Sequence, residues 1–299
     1  MKYLIALSCS SFIIAMMMCS LTPTVRATSA PTVVSVVIAV TANGQSDSFG
    51  GGSIDLNAGT TRTIYVNGVV EDLDGKADIV GVSGVFYRSG APSGNLCVAD
   101  TAYCYAVSSC SLGDNADANQ KTFSCQMNLL HIAQSTVSGG QYPNENWVAY
   151  VTVTDSESSG TNNATTKEMQ SLLSLEIPGT ISFGMRDLNS QSTAENNTET
   201  ALLQKGNVQA DVEVSMSATG LACASGVIPR ANIKWSITDV AYASGTSLTA
   251  SAVDTNIDIP YGTSGNASPS KILYWNIGIP VDGVGGSCST PVTVNAIAH

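Results

Sequence analysis

Apolar and polar positions alternate along most of this chain with a period of two, the spacing of half-buried β-strands. The pattern is plainest over Thr61–Arg88. Ile64, Val66 and Gly68 alternate with Tyr65 and Asn67, and the acidic turn EDLDGKAD follows at residues 71–78. Beyond it, Ile79, Gly81, Ser83 and Val85 alternate with Val80, Val82, Gly84 and Phe86. Further strands are expected at Thr32–Thr41, Ser53–Leu56 and Trp147–Thr154, the last ending in the acidic turn DSESSG. Thr122–Leu130 suits strand or helix; the alternation of Phe123, Cys125, Met127 and Leu129 with Ser124, Gln126 and Asn128 favours strand. Residues 89–121, rich in Gly, Ser, Asn and Asp and holding three cysteines, are read as one long loop held by bridges.

A second unit is expected from about residue 171. The segment TTKEMQSLLSLEIPG runs without a Gly/Ser/Pro-rich linker, with Leu173, Leu175 and Ile177 on one face, which implies a stiff connection. Strands follow where Val212, Val214 and Met216 alternate with polar residues, around Trp235 in Ile233–Thr238, and at Ser247–Ala252, Ile272–Pro280 and Thr290–Ala298. Helix signals are nearly absent: no long apolar stripe of period 3.6 occurs, and no convincing capping box. Strand, acidic loop, strand, with turn signals at regular intervals, describes an all-β chain. Its expected form is two tandem Ig-like β-sandwich domains, residues 31–170 and 171–299, after a signal peptide at 1–30. Val212, Val214, Trp235 and Ile277 are expected in the second core.

The N-terminus carries the export signal. Lys2 precedes the almost wholly apolar Leu4–Leu21, and small residues offer cleavage after Ala27 or Ala30. Cys19 follows Met18 rather than a small residue, a poor fit to a lipoprotein signal. An uncleaved anchor is the alternative, because the run is long enough to span a bilayer. No second run of that length follows, so no membrane insertion is expected after cleavage.

Charge narrows the partners. The chain has 12 basic and 23 acidic side chains, a net −11, and its first thirty residues contribute Lys2 and Arg26 and no acid. No Lys/Arg cluster could neutralise phosphates, which argues against nucleic acid and anionic membranes. An unknown surface protein or a glycan is the expected partner.

Six cysteines remain once Cys9 and Cys19 leave with the signal: Cys97, Cys104, Cys110, Cys125, Cys223 and Cys288. An even number in an exported chain implies disulfides and an extracellular or cell-surface location. The first four allow three connectivities, of which Cys97–Cys104 with Cys110–Cys125 is the sequence-local one; Cys223 and Cys288 would pair with each other. Structural zinc is the rival, but its ligands come in close pairs such as C-x2-C, unlike the spacing here.

Among chemical candidates, His131 follows a core strand and reads as a strand-end residue rather than a general base, and the other histidine is His299. No G-x-S-x-G elbow or triad context is present. Glu71, Asp72, Asp74, Asp78, Asp155 and Glu157 could include a glycosidase carboxylate pair. A different use is a calcium site of Asp72, Asp74, Asp78 and Asp155, if the turns after the second and penultimate strands of an Ig-like order meet at one end of the sandwich. Asp also favours turns for its own hydrogen bonding, and no EF-hand spacing is present. Trp147, Trp235 and Trp275 sit in strand patterns and read as core rather than as a sugar-binding platform. Sequons at Asn163, Asn196 and Asn266 mark polar turns.

The runs VNGVVEDLDGKADIVGVSGVFYRSG (66–90), LCVADTAYCY (96–105) and NWVAYVTVTDSESSG (146–160), with the closing ILYWNIGIPVDGVGG (272–286) and TVNAIA (293–298), resemble two-domain exported proteins of uncultivated, reduced-genome bacteria. AYVTVTDSESSG is also similar to the penultimate strand of PKD-type and other Ig-like surface domains. The resemblance implies a sandwich fold and a secreted or surface location, and nothing about ligand. Three functional classes follow: a non-catalytic structural or adhesive surface component, a carbohydrate- or protein-binding module, and a secreted hydrolase. The first is expected.

Overall fold

The structure is a computed structural model that describes residues 29–299 except 45, 47, 50, 51, 100, 266 and 267, with backbone alone at 163 and 164. The apolar run Leu4–Leu21 and the cleavage site after Ala27 precede that range, so the expected signal, apart from Ser29 and Ala30, lies outside the described residues. None of the described helices is long and apolar enough to cross a membrane.

The chain is nearly all strand. Its first half contains β1 (Thr32–Ala39), β2 (Ser53–Ile54), β3 (Thr61–Glu71), β4 (Gly81–Arg88), β5 (Cys104–Val107), β6 (Ser111–Asp114), β7 (Gln120–Leu130), β8 (Trp147–Thr154) and β9 (Ser159–Met169). These form two sheets, ordered β1-β3-β7-β6 and β2-β9-β8-β4-β5. All neighbours are antiparallel except β2 and β9, which run parallel. The alternation that marks these strands in sequence sends Ile64, Val66, Phe123, Cys125 and Leu129 from one sheet, and Val82, Phe86, Trp147, Val151 and Val153 from the other, into a single buried cluster. Phe86 and Tyr105 pack on the Trp147 ring, with centroids 5.2 and 5.7 Å away, and the indole N–H donates to the carbonyl of Gln134 at 2.8 Å. Gly68 has a specific reason to be glycine: a Cβ there would stand 1.9 Å from the carbonyl oxygen of Ser35, beside the register shift of β1 against β3.

The second half contains β10 (Leu175–Glu176), β11 (Thr198–Gln204), β12 (Ala210–Ser215), β13 (Gly220–Ser225), β14 (Val227–Pro229), β15 (Ile233–Ser236), β16 (Thr246–Ser247), β17 (Val253–Asp254), β18 (Ser270–Ile277), β19 (Gly285–Ser289) and β20 (Thr293–Ala298). One sheet is ordered β10-β11-β18-β15-β16. Facing it, β12 lies between β17 and β20, and β13 between β14 and β19. Because β13 follows β12 and β20 follows β19, these two ladders act as one bent antiparallel layer. Val212, Val214, Trp235 and Ile277 are buried in the second cluster, with Leu273 and Trp275.

Two expectations are corrected, and one strand, β11, was not expected. Residues 89–121 are not one loop: they contain the short strands β5 and β6, on the margins of the two sheets and largely polar in β6, so burial leaves little periodic trace. Strand β11 shows weakly in sequence because polar side chains flank Leu202 at two of its three buried positions; Thr200 Oγ1 accepts the Trp275 indole N–H at 3.1 Å, and the buried Gln204 bonds Val208 and Gly206. Of Ser247–Ala252, Ser247 ends β16, and Leu248 adds an N–H bond to Ile233 of β15 before the chain leaves the sheet. Beyond it Thr249 turns back on Ser251 through its hydroxyl. Thr122–Leu130 is strand throughout.

The disulfides join Cys97 to Cys104, Cys110 to Cys125 and Cys223 to Cys288. The first fastens a loop to β5. In the second, Cys110 donates its backbone N–H to Val82 of β4 while Cys125 lies in β7, so the bridge ties the two sheets through the core. The third links register partners on β13 and β19.

Candidate functional site

Three places in the fold concentrate chemistry or free surface. The first is the junction between the halves. The turn after β11 presents Lys205, Gly206 and Asn207 to the first half. Asn207 is fully buried and donates from its amide to the carbonyls of Ala133 (2.7 Å) and Gln170 (2.9 Å), while its Oδ1 accepts the N–H of Leu172 at 2.6 Å. Gln141 donates to its backbone carbonyl at 2.7 Å. Gly206 is packed so closely that a Cβ would fall 2.0 Å from the oxygen of Leu172. A second contact lies at residues 261–264: Thr263 accepts the N–H of Ala102, Ser264 forms a bridge with Thr101, and Tyr261 hydrogen-bonds Tyr142. Tyr142 in turn supports the buried Arg88, whose guanidinium lies 3.6 Å from the ring centroid and pairs with Glu145 and Gln134.

His131 sits at this junction, at the end of β7. Its side chain is buried, and neither ring nitrogen has a hydrogen-bond partner. Burial first, then the neighbouring Lys205, push its pKa below the ordinary histidine value.

The second place is the end of the first half where the β3–β4 and β8–β9 turns emerge. The two turns do lie side by side: Val80 donates its N–H to the carbonyl of Thr154 at 3.0 Å. The four carboxylates read as calcium ligands are nevertheless not gathered there. Among the described residues, the His/Cys/Asp/Glu group whose ligand atoms lie within 4.8 Å of one another is Asp211, Asp258 and His299, in the other half. Three of the four carboxylates take separate hydrogen bonds instead. Buried Asp72 accepts the N–H of Asp74 on Oδ1, leaving Oδ2 without a partner. Asp74 accepts the N–H of Ser29. Asp155 caps its own turn, accepting from Glu157 and Ser158, and these hydrogen bonds, the Glu157 N–H foremost, hold its carboxyl below the ordinary aspartate value. Asp78 contributes its backbone N–H to the carbonyl of Gly75.

In the Asp211 group, Oδ1 of the buried Asp211 already takes N–H groups of Val212 and Ile257 and the Thr255 hydroxyl, which fixes the β12–β17 corner. His299 pairs with Asp258 at 2.9 Å on the surface.

The third place is a cleft of about 1850 Å³ inside the second half, larger than the 300–1,000 Å³ common for small-molecule pockets. One wall is the inner face of the five-stranded sheet, with Thr200, Ile233, Trp275 and Ile277. The other comprises Leu221, Ile228, Cys288, Val292 and Val294. Its side is closed by the extended segment 177–188, in which Ile177, Ile181 and Phe183 turn half-buried toward the core. The one charged lining residue is Arg186, whose guanidinium bonds the carbonyls of Phe183 and Asn196.

The three tryptophans are all buried, Trp147 and Trp275 completely and Trp235 at 7% exposure. The indole N–H of Trp235 has no partner. Of the sequons, Asn196 is an exposed turn residue, the Asn163 backbone lies within β9, and Asn266 is outside the described residues. Sequence reasoning missed both the Asn207 junction and the cleft. Asn207 looks like any turn asparagine in KGN, and the cleft is a property of which strands are next to each other.

No protein-family model matches the chain, and no curated protein matches it.

Proposed function

We propose that this chain is an exported, non-catalytic structural or adhesive component of the cell surface, built from two tandem Ig-like sandwich domains. The strand order supports the architecture. In the first half β1-β3-β7-β6 faces β9-β8-β4-β5, the A-B-E-D and G-F-C-C′ orders of Ig-type sandwiches, and the second half keeps the same sequence of pairings in its larger sheet. Three disulfides, each fastening a sheet or a loop onto it, suit an oxidising compartment and so an exported protein.

The observation that carries the functional reading is the character of the cleft. It is large, walled by the apolar faces of two sheets, and its single charged side chain is bound to backbone carbonyls. Such a surface holds an apolar or polypeptide partner; it does not present the paired carboxylates or nucleophile and base that hydrolysis needs. Burial of all three tryptophans favours a protein partner over a glycan bound by an exposed aromatic row.

Two measurements test the reading. Antibody labelling of intact producing cells should mark the protein at the surface; confinement to the cytoplasm would overturn the location. A screen of the purified protein against glycan, ester and peptide substrates should show no turnover above buffer. Turnover abolished by changing Asp72, Asp74 or Asp155 would overturn the role.

A further inference from the structure

Apart from the two-residue strands β16 and β17, which have no counterpart in the first half, the second half repeats the first with one position empty. Strands β10, β11, β18 and β15 occupy the places of β1, β3, β7 and β6; β12–β13 stands for β4, β14 for β5, and β19–β20 for β8. In the first half β9 then adds antiparallel to the outer edge of β8 and parallel to β2. Among the described residues of the second half, nothing pairs with the outer edge of β19–β20.

The counterpart of β2 is present as well. Residues 177–188 follow β10 as an extended strap, yet they take part in no ladder and make no backbone–backbone hydrogen bond. The groove therefore has a free strand edge on one side and, on the other, a backbone that joins no ladder, although the Ser182 and Phe183 carbonyls accept from the Thr198 hydroxyl and Arg186. Its floor is equally unfinished. Inward residues of β8 are fully buried, whereas Val292 and Val294 of the equivalent layer, with Ile181 and Phe183 of the strap, are only partly covered. Protein interiors are close-packed, so an open volume of this size between two apolar faces marks missing side chains.

We propose that this groove is the acceptor site for one β-strand of a partner polypeptide, inserted antiparallel to β19–β20 and parallel to the strap. Backbone hydrogen bonds to two edges would supply affinity, and alternate side chains entering the cleft would supply specificity. The strand presents bulky apolar residues at every second position to the floor. Its outer face, turned to solvent, is polar. A second copy is the poorer donor, because the apolar-alternating strands among the described residues are already committed to their own sheets. The inference deepens the proposed role as a holder of another macromolecule, but it is read on purified protein, so its failure leaves the surface location untouched.

The probe is a peptide of about ten residues alternating Val and Thr with a lysine at each end. The control has the same composition with the valines together. The alternating peptide should raise the melting temperature and slow amide exchange across β19–β20 and the strap by at least about tenfold, while β8 and β9 stay unchanged. Val294→Asp, which places a charge in the floor, should weaken peptide binding at least about tenfold. Val281→Asp, on an exposed position outside the lining, should bind as the parent does. If Val294→Asp fails to fold, Phe183→Ser in the strap makes the same test. No melting shift at millimolar peptide, or an equal shift with the control, overturns the proposal. Self-association that excludes the peptide also overturns it, by assigning the strand to a second copy.

Discussion

Asn207 and His131 show how differently two buried polar side chains behave at one junction. Asn207 satisfies two carbonyls and an N–H of the first half at once. In Asn207→Ala those groups stay buried and lose that partner, at about 1–3 kcal/mol each, so a loss of about 3 kcal/mol or more is expected from denaturant midpoints. A change below about 1 kcal/mol would mean that water or backbone rearrangement replaces the bonds. His131 has no partner to lose. Its pKa is lowered on folding, so the unfolded chain takes up a proton near the ordinary 6.5 where the folded chain resists it. Stability should therefore fall as pH drops below about 6.5 and level off beneath the lowered folded value. His131→Leu should remove that limb and keep the neutral-pH stability. Melting curves from pH 7.5 to 5 check this, and an unchanged acid limb in the variant would refute it. Asp155 has the opposite sign: its carboxyl is stabilised as the anion, a contribution lost only as pH falls below the ordinary 3.8 through its lowered folded value.

At the scale of elements, what the sequence disclosed depended on how completely each strand was buried on one face. Trp147–Thr154 and Gln120–Leu130 lie between neighbours on both edges, with apolar inward positions, and their alternation is legible. Strands β5, β6 and β11 were hidden by marginal position or by inward threonine and glutamine, whose burial depends on partners elsewhere in the chain. The turn aspartates were visible, but composition could not tell convergence on a cation from separate hydrogen bonds such as those of Asp72, Asp74 and Asp155. Cysteine spacing was more informative, since the local pairing among the first four is the one adopted. Cys223–Cys288 closes the longest loop, and in the chain-entropy account it contributes about 4 kcal/mol. Replacing both by serine should lower the melting transition of the second half and leave that of the first within experimental error. Loss of both transitions together would show that the halves unfold as one unit.

The whole molecule is two cores with a polar, two-point junction. Lys205–Asn207 and residues 261–264 grip the first half at separate places, a geometry that resists hinge motion about a single linker. That stiffness suits the proposed role of holding a partner at the cell surface. The asymmetry of the two halves is the feature on which the proposed strand acceptor rests: β9 covers the edge of β8, and the outer edge of β19–β20 is uncovered among the described residues. Amide hydrogen exchange on the free protein tests this most directly. The expected result is protection of β8, covered by β9 on one side and β4 on the other, with exchange along the outer edge of β19–β20 faster by about a hundredfold or more. Equal protection of β8 and β19–β20 would contradict the account, because it would mean that the place β9 takes in the first half is already filled in the second.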